Sequence, residues 1–350
     1  MKRDIIISII KPLSLLPLRG GTRWVLEVAT RICKNYRVVI VSFNIPLKEY
    51  HDLNDRLLEI MSQLGKCKGN VLWYELPRLS YDETRSTPFG RLLGGMIIPP
   101  KLNINYIRKS YVYMITETRI LSILSLILLT LINGASHLVV GIHSRLTNYK
   151  KFFIVKPIFK ILYILGILRG IHAVNIVDAI MLRKVLGIPI WWIPNGVDCI
   201  KFKPGIKRDK FQVLFVGALK NIKGIDTFIK IAETIRSKYD DINFIVVGDG
   251  SLRKLVEDAH EKGIVRFLGF VPHNELARLY AESHAVVLPS REDAFPLVML
   301  EAMASGTPVI ATDIPAFRQT VIDGVTGFLV KPYTPEAFVE AIMRVRDMWI

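Results

Sequence analysis

Apolar and polar residues alternate along this chain in blocks that change period. DIIISII (4–10) is a short apolar run bounded by turn-forming residues, which predicts a buried strand. LRGGTRWVLEVATRICKNY follows, with a Gly pair and then helical spacing through Trp24, Val25, Val28, Ala29 and Ile32. RVVIVSF (37–43) reads as the next strand, HLVVGIH (137–143) as another and GIHAVNIV (170–177) as another. Residues 45–118 show no clear period and are left unassigned. Strands alternating with helices predict a parallel sheet covered by helices.

KFKPGIKRDK (201–210) is charged, contains Pro and Gly, and reads as a linker. After it the alternation restarts: strands at FQVLFVG, INFIVVGDG, VRFLGFV, AVVLPS and PVIATD, and helices at IDTFIKIAETIRSKY, SLRKLVEDAHEKG, HNELARLYAES, LVMLEAMAS and PEAFVEAIMRVRDMWI. The fold class expected is therefore α/β, two doubly wound Rossmann-like domains over 1–200 and 201–350, facing across a cleft. Ligands of such sheets bind beyond the carboxyl ends of the strands, so the cleft is the expected site.

Two stretches are more apolar than the rest. ILSILSLILLTLI (120–132) is shorter than the roughly 20 residues a spanning helix needs. Residues 152–168 are interrupted by Lys156, Pro157 and Lys160. Both read as buried or interfacial helices, the second with the lysine-among-apolar pattern of a helix lying in a lipid interface. The N-terminal run is broken at Lys11 with no small-residue cleavage site after it, so a first strand is expected there rather than a signal peptide.

Charge sharpens the division into halves. The net charge is +16, and residues 1–200 hold 27 Lys and Arg against 12 Asp and Glu, so +15 of it. A half that basic suits an anionic partner: a membrane surface, a nucleic acid or a phosphorylated substrate. Cys33, Cys67 and Cys199 are far apart in sequence and show no CxxC, so no disulfide framework or zinc site is expected, and a reducing compartment fits.

DAFPLVMLEAMASGTPVIATD (293–313) carries the candidate chemistry. Pro296 suits a first helical turn and Gly306 a helix end, which places Asp293 at a helix N-terminus on the cleft side. Free N–H groups of such a turn attract anions. Glu301 falls near the second turn, where it cannot be buried without a partner. Anion-binding amides beside hydroxyl-accepting acids read as a site for a sugar nucleotide.

This stretch resembles the Glu-x7-Glu signature of family 4 retaining glycosyltransferases of the GT-B fold. Further matches follow the same order: Gly20-Gly21 after the first strand, IPNGVDCIKFKP (193–204), FVGALKNIKG (215–224), VVGDGSLRKL (246–255), VRFLGFVPHNELARLY (265–280) and DGVTGFLV (323–330). The resemblance covers most of the chain and is densest from Ile193 to Val330. It implies that Glu301 binds the donor ribose hydroxyls and that Asp293, one methylene shorter than the family Glu, binds hydroxyls of the donor sugar. It implies that Lys223 holds the donor diphosphate and that Gly20 and Gly21 let the N-terminal loop approach it. His143 matches the family histidine that contacts the transferred sugar. Phe295, Leu297 and Val298 match the segment that packs by the sugar and lends backbone N–H groups. The arginine usual after the FVG glycine is replaced by Ala218, with Lys220 or Arg253 the candidate sources of the second charge, and Gln319 stands where the family often has an acid.

The implied reaction transfers a hexose from a GDP- or UDP-sugar to a glycan or lipid-linked acceptor with retention, by front-face attack. No Asp-x-Asp occurs in the chain, so cationic side chains and a helix N-terminus, rather than a metal, are expected to stabilise the leaving diphosphate. No cofactor beyond the donor is expected, and no nucleic acid. The expected location is the cytoplasm, with peripheral contact at the cytoplasmic membrane face. Relatives of this kind continue through more helix, so the chain reads as a fragment or a short variant. Rival readings are a nicotinamide oxidoreductase, disfavoured because no GxGxxG follows the first strand, and a non-enzymatic basic membrane-surface or nucleic-acid binder. Within the same fold a sugar-nucleotide epimerase or a phosphorylase also remains.

Overall fold

Parallel pairing begins at once: β1 (Ile6–Ile10) lies beside β2 (Arg37–Phe43) in register Ile6 to Arg37, with α1 (Gly20–Ile32) between them in sequence. The structure is a computed structural model, which describes residues 6–10, 20–43, 62, 65, 67, 71–76, 80–81, 96–97, 111–116, 120–132, 134–135, 137–143, 145–146 and 152–349. The chain forms two compact units that part between Pro194 and Asn195. The segment read from sequence as a linker, 201–210, begins inside the second unit, where Phe202 is buried against His273 and Tyr280.

In the first unit β3 (Val71–Leu76), a small antiparallel pair β4 (Ser80–Tyr81) and β5 (Met96–Ile97), and β6 (Tyr111–Thr116) follow. Then come α2 (Ile120–Ile132), β7 (His137–Ile142), α3 (Phe152–Ile164), β8 (Leu168–Ala173), α4 (Ile176–Leu186) and β9 (Ile190–Trp192). Seven strands make one parallel sheet in the order β3-β2-β1-β6-β7-β8-β9. Its core joins Val39, Val112, Met114, Leu138 and Val140 of the strands to Ile123 and Ile127 of α2 and Phe152 and Phe159 of α3. The strand expected over 170–177 ends earlier than its apolar pattern suggests. Asn175 accepts from the N–H groups of Val177 and Asp178 and starts α4, so Ile176 and Val177 are helical. Pro157 does not interrupt α3. Its neighbours Phe152, Val155, Phe159 and Leu162 are buried.

The cysteines correct the sequence reading. Cys33 and Cys67 are paired as a disulfide, their Cα atoms 5.7 Å apart. Thirty-four residues separate them in sequence, but the fold brings the end of α1 beside the approach to β3. The inference of a reducing compartment loses that support.

The second unit runs β10 (Phe211–Val216), a 3₁₀ turn (Asn221–Lys223), α5 (Ile225–Arg236), β11 (Ile242–Val247), α6 (Arg253–Glu261) and β12 (Arg266–Phe267). It continues through α7 (His273–Glu282), β13 (Ala285–Leu288), α8 (Leu297–Ala304), β14 (Val309–Thr312), α9 (Pro315–Arg318), β15 (Gly327–Val330) and α10 (Pro335–Asp347). Six parallel strands follow the order β12-β11-β10-β13-β14-β15. The order reverses at β10 and β13, which leaves the loops after these two strands side by side at the switch point where such sheets bind ligands. β10 is buried along its whole length, as a parallel strand covered on both faces must be. Its one polar side chain, Gln212, is satisfied by Ser283 Oγ at 2.9 Å.

Candidate functional site

The sequence-predicted residues fall into one set in each unit. In the second unit, β10 ends at Val216 and the chain runs through Ala218 and Lys220 into the 3₁₀ turn that carries Lys223. Gly224 follows with φ +71°, and a Cβ there would lie 1.8 Å from the carbonyl oxygen of Pro289. Glycine is required because this loop rests directly on the loop after β13. Arg291 ties the same two loops together. Its N–H donates to Ile222 O at 2.9 Å, and its guanidinium grips Asp226 with two bonds of 2.8 and 2.6 Å. Burial pushes the Asp226 carboxyl up, but the bidentate pair, helped by backbone N–H groups, holds it below its usual range. Tyr333 completes the clamp by donating to Pro289 O at 2.9 Å.

Between the braced loops Lys223 Nζ meets Asp293 Oδ2 at 2.5 Å. Asp293 Oδ1 also accepts from the N–H of Ala294 at 3.0 Å. The helix that follows starts at Leu297, where the sequence reading of LVMLEAMAS begins it; Pro296, expected in the first helical turn, is the residue before α8, and no side chain caps the helix. The leading N–H groups of α8, those of Leu297, Val298 and Met299, thus receive no cap from the Pro296 side chain, and free amides at a helix start suit an anion. Phe295 is buried, and its carbonyl accepts from Asn195 Nδ2 at 2.9 Å. Gly306, with φ +69°, follows the helix end as expected.

Glu301 is buried, and its partners are His273 and Tyr280. Tyr280 donates to Oε2 at 2.9 Å, and His273 Nε2 lies 2.9 Å from Oε1. Lys201 Nζ lies 2.8 Å from His273 Nδ1. An ammonium has only donors, so Nδ1 accepts and the proton sits on Nε2, which donates to Glu301. Both carboxylate oxygens therefore already receive one hydrogen bond from the protein. Arg253, a candidate for the second diphosphate charge, donates to Glu257 at 2.7 Å and stacks on Phe267. Lys220 lies three residues before Lys223 on the braced loop. Gln319 contacts the carbonyl of Ala316 at 3.2 Å.

In the first unit Gly20 and Gly21 form the first turn of α1 rather than a free loop before it; residues 11–19 lie outside the described residues. His143 follows β7 directly. Its Nε2 lies 2.8 Å from the Tyr113 hydroxyl, which lies 2.5 Å from His172 Nδ1, and His172 Nε2 lies 2.7 Å from the carbonyl oxygen of Ile193. A carbonyl only accepts, so His172 carries its proton on Nε2, Tyr113 donates to Nδ1, and the Tyr113 oxygen accepts from His143 Nε2–H. This leaves Nδ1 as the remaining acceptor of His143. Burial, reinforced by the neighbouring His172, lowers His143 to about 3. Burial lowers His172 against the opposing pull of the Ile193 carbonyl and raises Tyr113, so all three are neutral near neutrality. Trp24 of α1 stacks on Tyr113 at 4.9 Å and meets His143 edge-on at 4.5 Å. Gly141 makes room for the tyrosine, since a Cβ there would lie 2.0 Å from its hydroxyl.

Tyr113, His172, Asn195, His273, Tyr280 and Arg291 were not singled out from sequence. Asn195, His273 and Tyr280 lay within quoted motifs, but only the fold shows what they touch. Among the described residues no group of three or more His, Cys, Asp or Glu side chains is placed to hold a metal ion.

Two parallel sheets of this doubly wound kind define the GT-B fold, and solved structures share it. Sucrose-phosphate synthase of Thermosynechococcus elongatus aligns with a TM-score of 0.65 at 18% identity over 98% of this chain and 90% of that one. Anabaena HepE in complex with UDP and glucose gives 0.70 at 17% over 99% and 91%. A mutant of Staphylococcus aureus TarM in a complex that includes UDP gives 0.72 at 14% over 98% and 93%. Residues 197–348, within the second unit, match the family described as Glycosyl transferases group 1. D-inositol 3-phosphate glycosyltransferase of Paenarthrobacter aurescens is 33% identical over 172 residues, 44% of this chain and 42% of that protein. Glycogen synthase of Mycobacterium tuberculosis is 30% identical over 162 residues, 44% of this chain and 39% of that protein. These alignments span less than half the length of the curated relatives.

Proposed function

We propose that the chain is a retaining glycosyltransferase of the GT-B type. It moves a hexose from a nucleoside diphosphate sugar to a glycan or lipid-linked acceptor without a metal ion. The observation that carries this reading is the Lys223–Asp293 pair beside the uncapped start of α8. An ammonium has three donors, and Asp293 uses one. The other two remain for a diphosphate, which the α8 amides would also receive. Asp293 would accept sugar hydroxyls through its free lone pairs. Glu301, held by Tyr280 and His273, would bind the ribose hydroxyls.

In the reaction the acceptor oxygen attacks the anomeric carbon from the face the leaving group departs. The bond from that carbon to the diphosphate oxygen breaks, the new glycosidic bond forms, and the acceptor proton passes to the departing phosphate oxygen. Negative charge grows on the diphosphate as it leaves, and Lys223 with the α8 amides meets that charge in a fixed position. His143 would accept a hydroxyl of the transferred sugar at Nδ1. Gly20 and Gly21, at the start of α1, would contribute to binding of the diphosphate. UDP bound to HepE and TarM makes UDP the first nucleotide to test.

The test is a screen of UDP, GDP and their hexose conjugates by calorimetry, followed by product analysis with the best binder. A donor that binds and yields a glycoside with unchanged anomeric configuration supports the reading. Binding of none of them, or an inverted product, overturns it.

A further inference from the structure

We propose that the outer face of α3 docks the protein onto an anionic lipid bilayer. The helix has three faces. Phe152, Val155, Phe159 and Leu162 enter the core. Phe153, Ile154, Ile158, Ile161 and Ile164 are exposed, and Leu165 extends the same face just beyond the helix. At 100° per residue these six positions span an arc of about 140° on the side away from the buried residues. Exposure is 79% for Ile164 and 65% for Leu165, so the stripe widens toward the helix end. A contiguous apolar face of this kind, rimmed by polar groups, marks an interaction surface.

Lys156 and Lys160 border the stripe on one edge, where long apolar stems can lie along the stripe and the amines reach out to phosphates. Lys156 already folds over the Phe153 ring at 5.6 Å. From Arg145 to Gly187 the sequence holds eight Lys and Arg and a single acid, Asp178. Asp178 is 1% exposed, so no acid of this stretch faces outward. This charge favours an anionic lipid surface and opposes pairing of the face with its own copy, which would bring basic edges together. A helix of thirteen residues is about 20 Å long, too short to cross the hydrocarbon layer, and among the described residues no helix is long and apolar enough to cross a membrane. It would lie in the interface plane.

The inference rests on surface chemistry and is independent of the donor reading, though it favours a lipid-linked acceptor. The test is co-sedimentation of the full chain with phosphatidylcholine vesicles, with and without phosphatidylglycerol, at low and high salt. The chain should pellet only with the anionic vesicles, and high salt should weaken the association. The double variant Ile158→Glu/Ile161→Glu should lose about a hundredfold in affinity, because two isoleucines no longer leave water. Lys156→Glu/Lys160→Glu should lose binding with the first unit still folded by circular dichroism. Equal binding by the isoleucine variant overturns the proposal. So does a wild-type dimer in sedimentation velocity that becomes monomeric in that variant, since the face would then serve a second copy. Failure here with intact nucleotide binding overturns docking alone.

Discussion

Lys223 and Asp293 stand seventy residues apart in sequence and meet at 2.5 Å. The pair sits where the loops after β10 and β13 are clamped by Arg291, Asp226 and Tyr333. On the proposed reading, a donor diphosphate arriving at Lys223 would find an amine already oriented by an acid. Replacing Lys223 by Ala should lower turnover on the order of a hundredfold, or about 3 kcal/mol in the barrier, with the unfolding midpoint little changed. Steady-state kinetics and urea melts on the same variant check this. Near-normal turnover removes Lys223 from the chemistry.

Asp293 has two tasks in this account, holding Lys223 and accepting sugar hydroxyls. Asp293→Asn keeps the shape and the hydroxyl acceptor but removes the charge opposite Lys223. Affinity for the free nucleoside diphosphate should hold or rise, because the lysine no longer shares its charge. Turnover should fall by about tenfold or more as the sugar loses a charged acceptor. Calorimetry with UDP beside kinetics with the full donor separates the two. Parallel losses of both would mean that Asp293 only shapes the loop.

Tyr280 donates to a buried carboxylate, and hydrogen bonds to charged groups contribute about 1.5–3 kcal/mol. Tyr280→Phe should destabilise the second unit by that order, measured by urea unfolding. An unchanged midpoint would show that Glu301 draws its support elsewhere.

The chain of hydrogen bonds from Ile193 O through His172 and Tyr113 to His143 fixes a single tautomer. Tyr113→Phe removes the hydroxyl, and the His143 ring should then populate both neutral tautomers. Nitrogen chemical shifts of the imidazole read this directly. Gly141→Ala should have a similar effect, since its methyl would displace the tyrosine hydroxyl. One sharp tautomer in both variants would refute the relay.

Acid should weaken the first unit. His143 is held to about 3 and His172 is also lowered, against about 6.5 in the unfolded chain. Between these values the unfolded state binds more protons, so stability is full above pH 6.5 and falls as pH drops toward 3. The slope from each group is at most about 1.4 kcal/mol per pH unit. Thermal melts from pH 7.5 downward should show the loss, and His143→Asn should flatten it. An equal slope in the variant would place the titration elsewhere.

Much of the second unit was legible because each of its elements carries its own period and its own stop signals. α8 was read within a residue from Pro296 and Gly306, and the need of Glu301 for a partner was read from its charge. The partners themselves, His273 and Tyr280, lie on α7, and nothing local in sequence points from one helix to the other. The pairing of Cys33 with Cys67 was misread for the same reason. Tyr113 falls in the stretch left without a period, and His172 was read only as part of a strand. Asn175 was a capping signal that the apolar run GIHAVNIV concealed.

On the proposed reading the second unit holds an activated sugar by its diphosphate. Calorimetric titration of UDP into the wild-type chain and into Lys223→Ala tests it most directly. The wild type should bind saturably and the variant should lose at least about tenfold in affinity, as expected for removal of one charge-assisted partner. Equal affinity in the two proteins, for UDP or for GDP if that nucleotide binds instead, would contradict it.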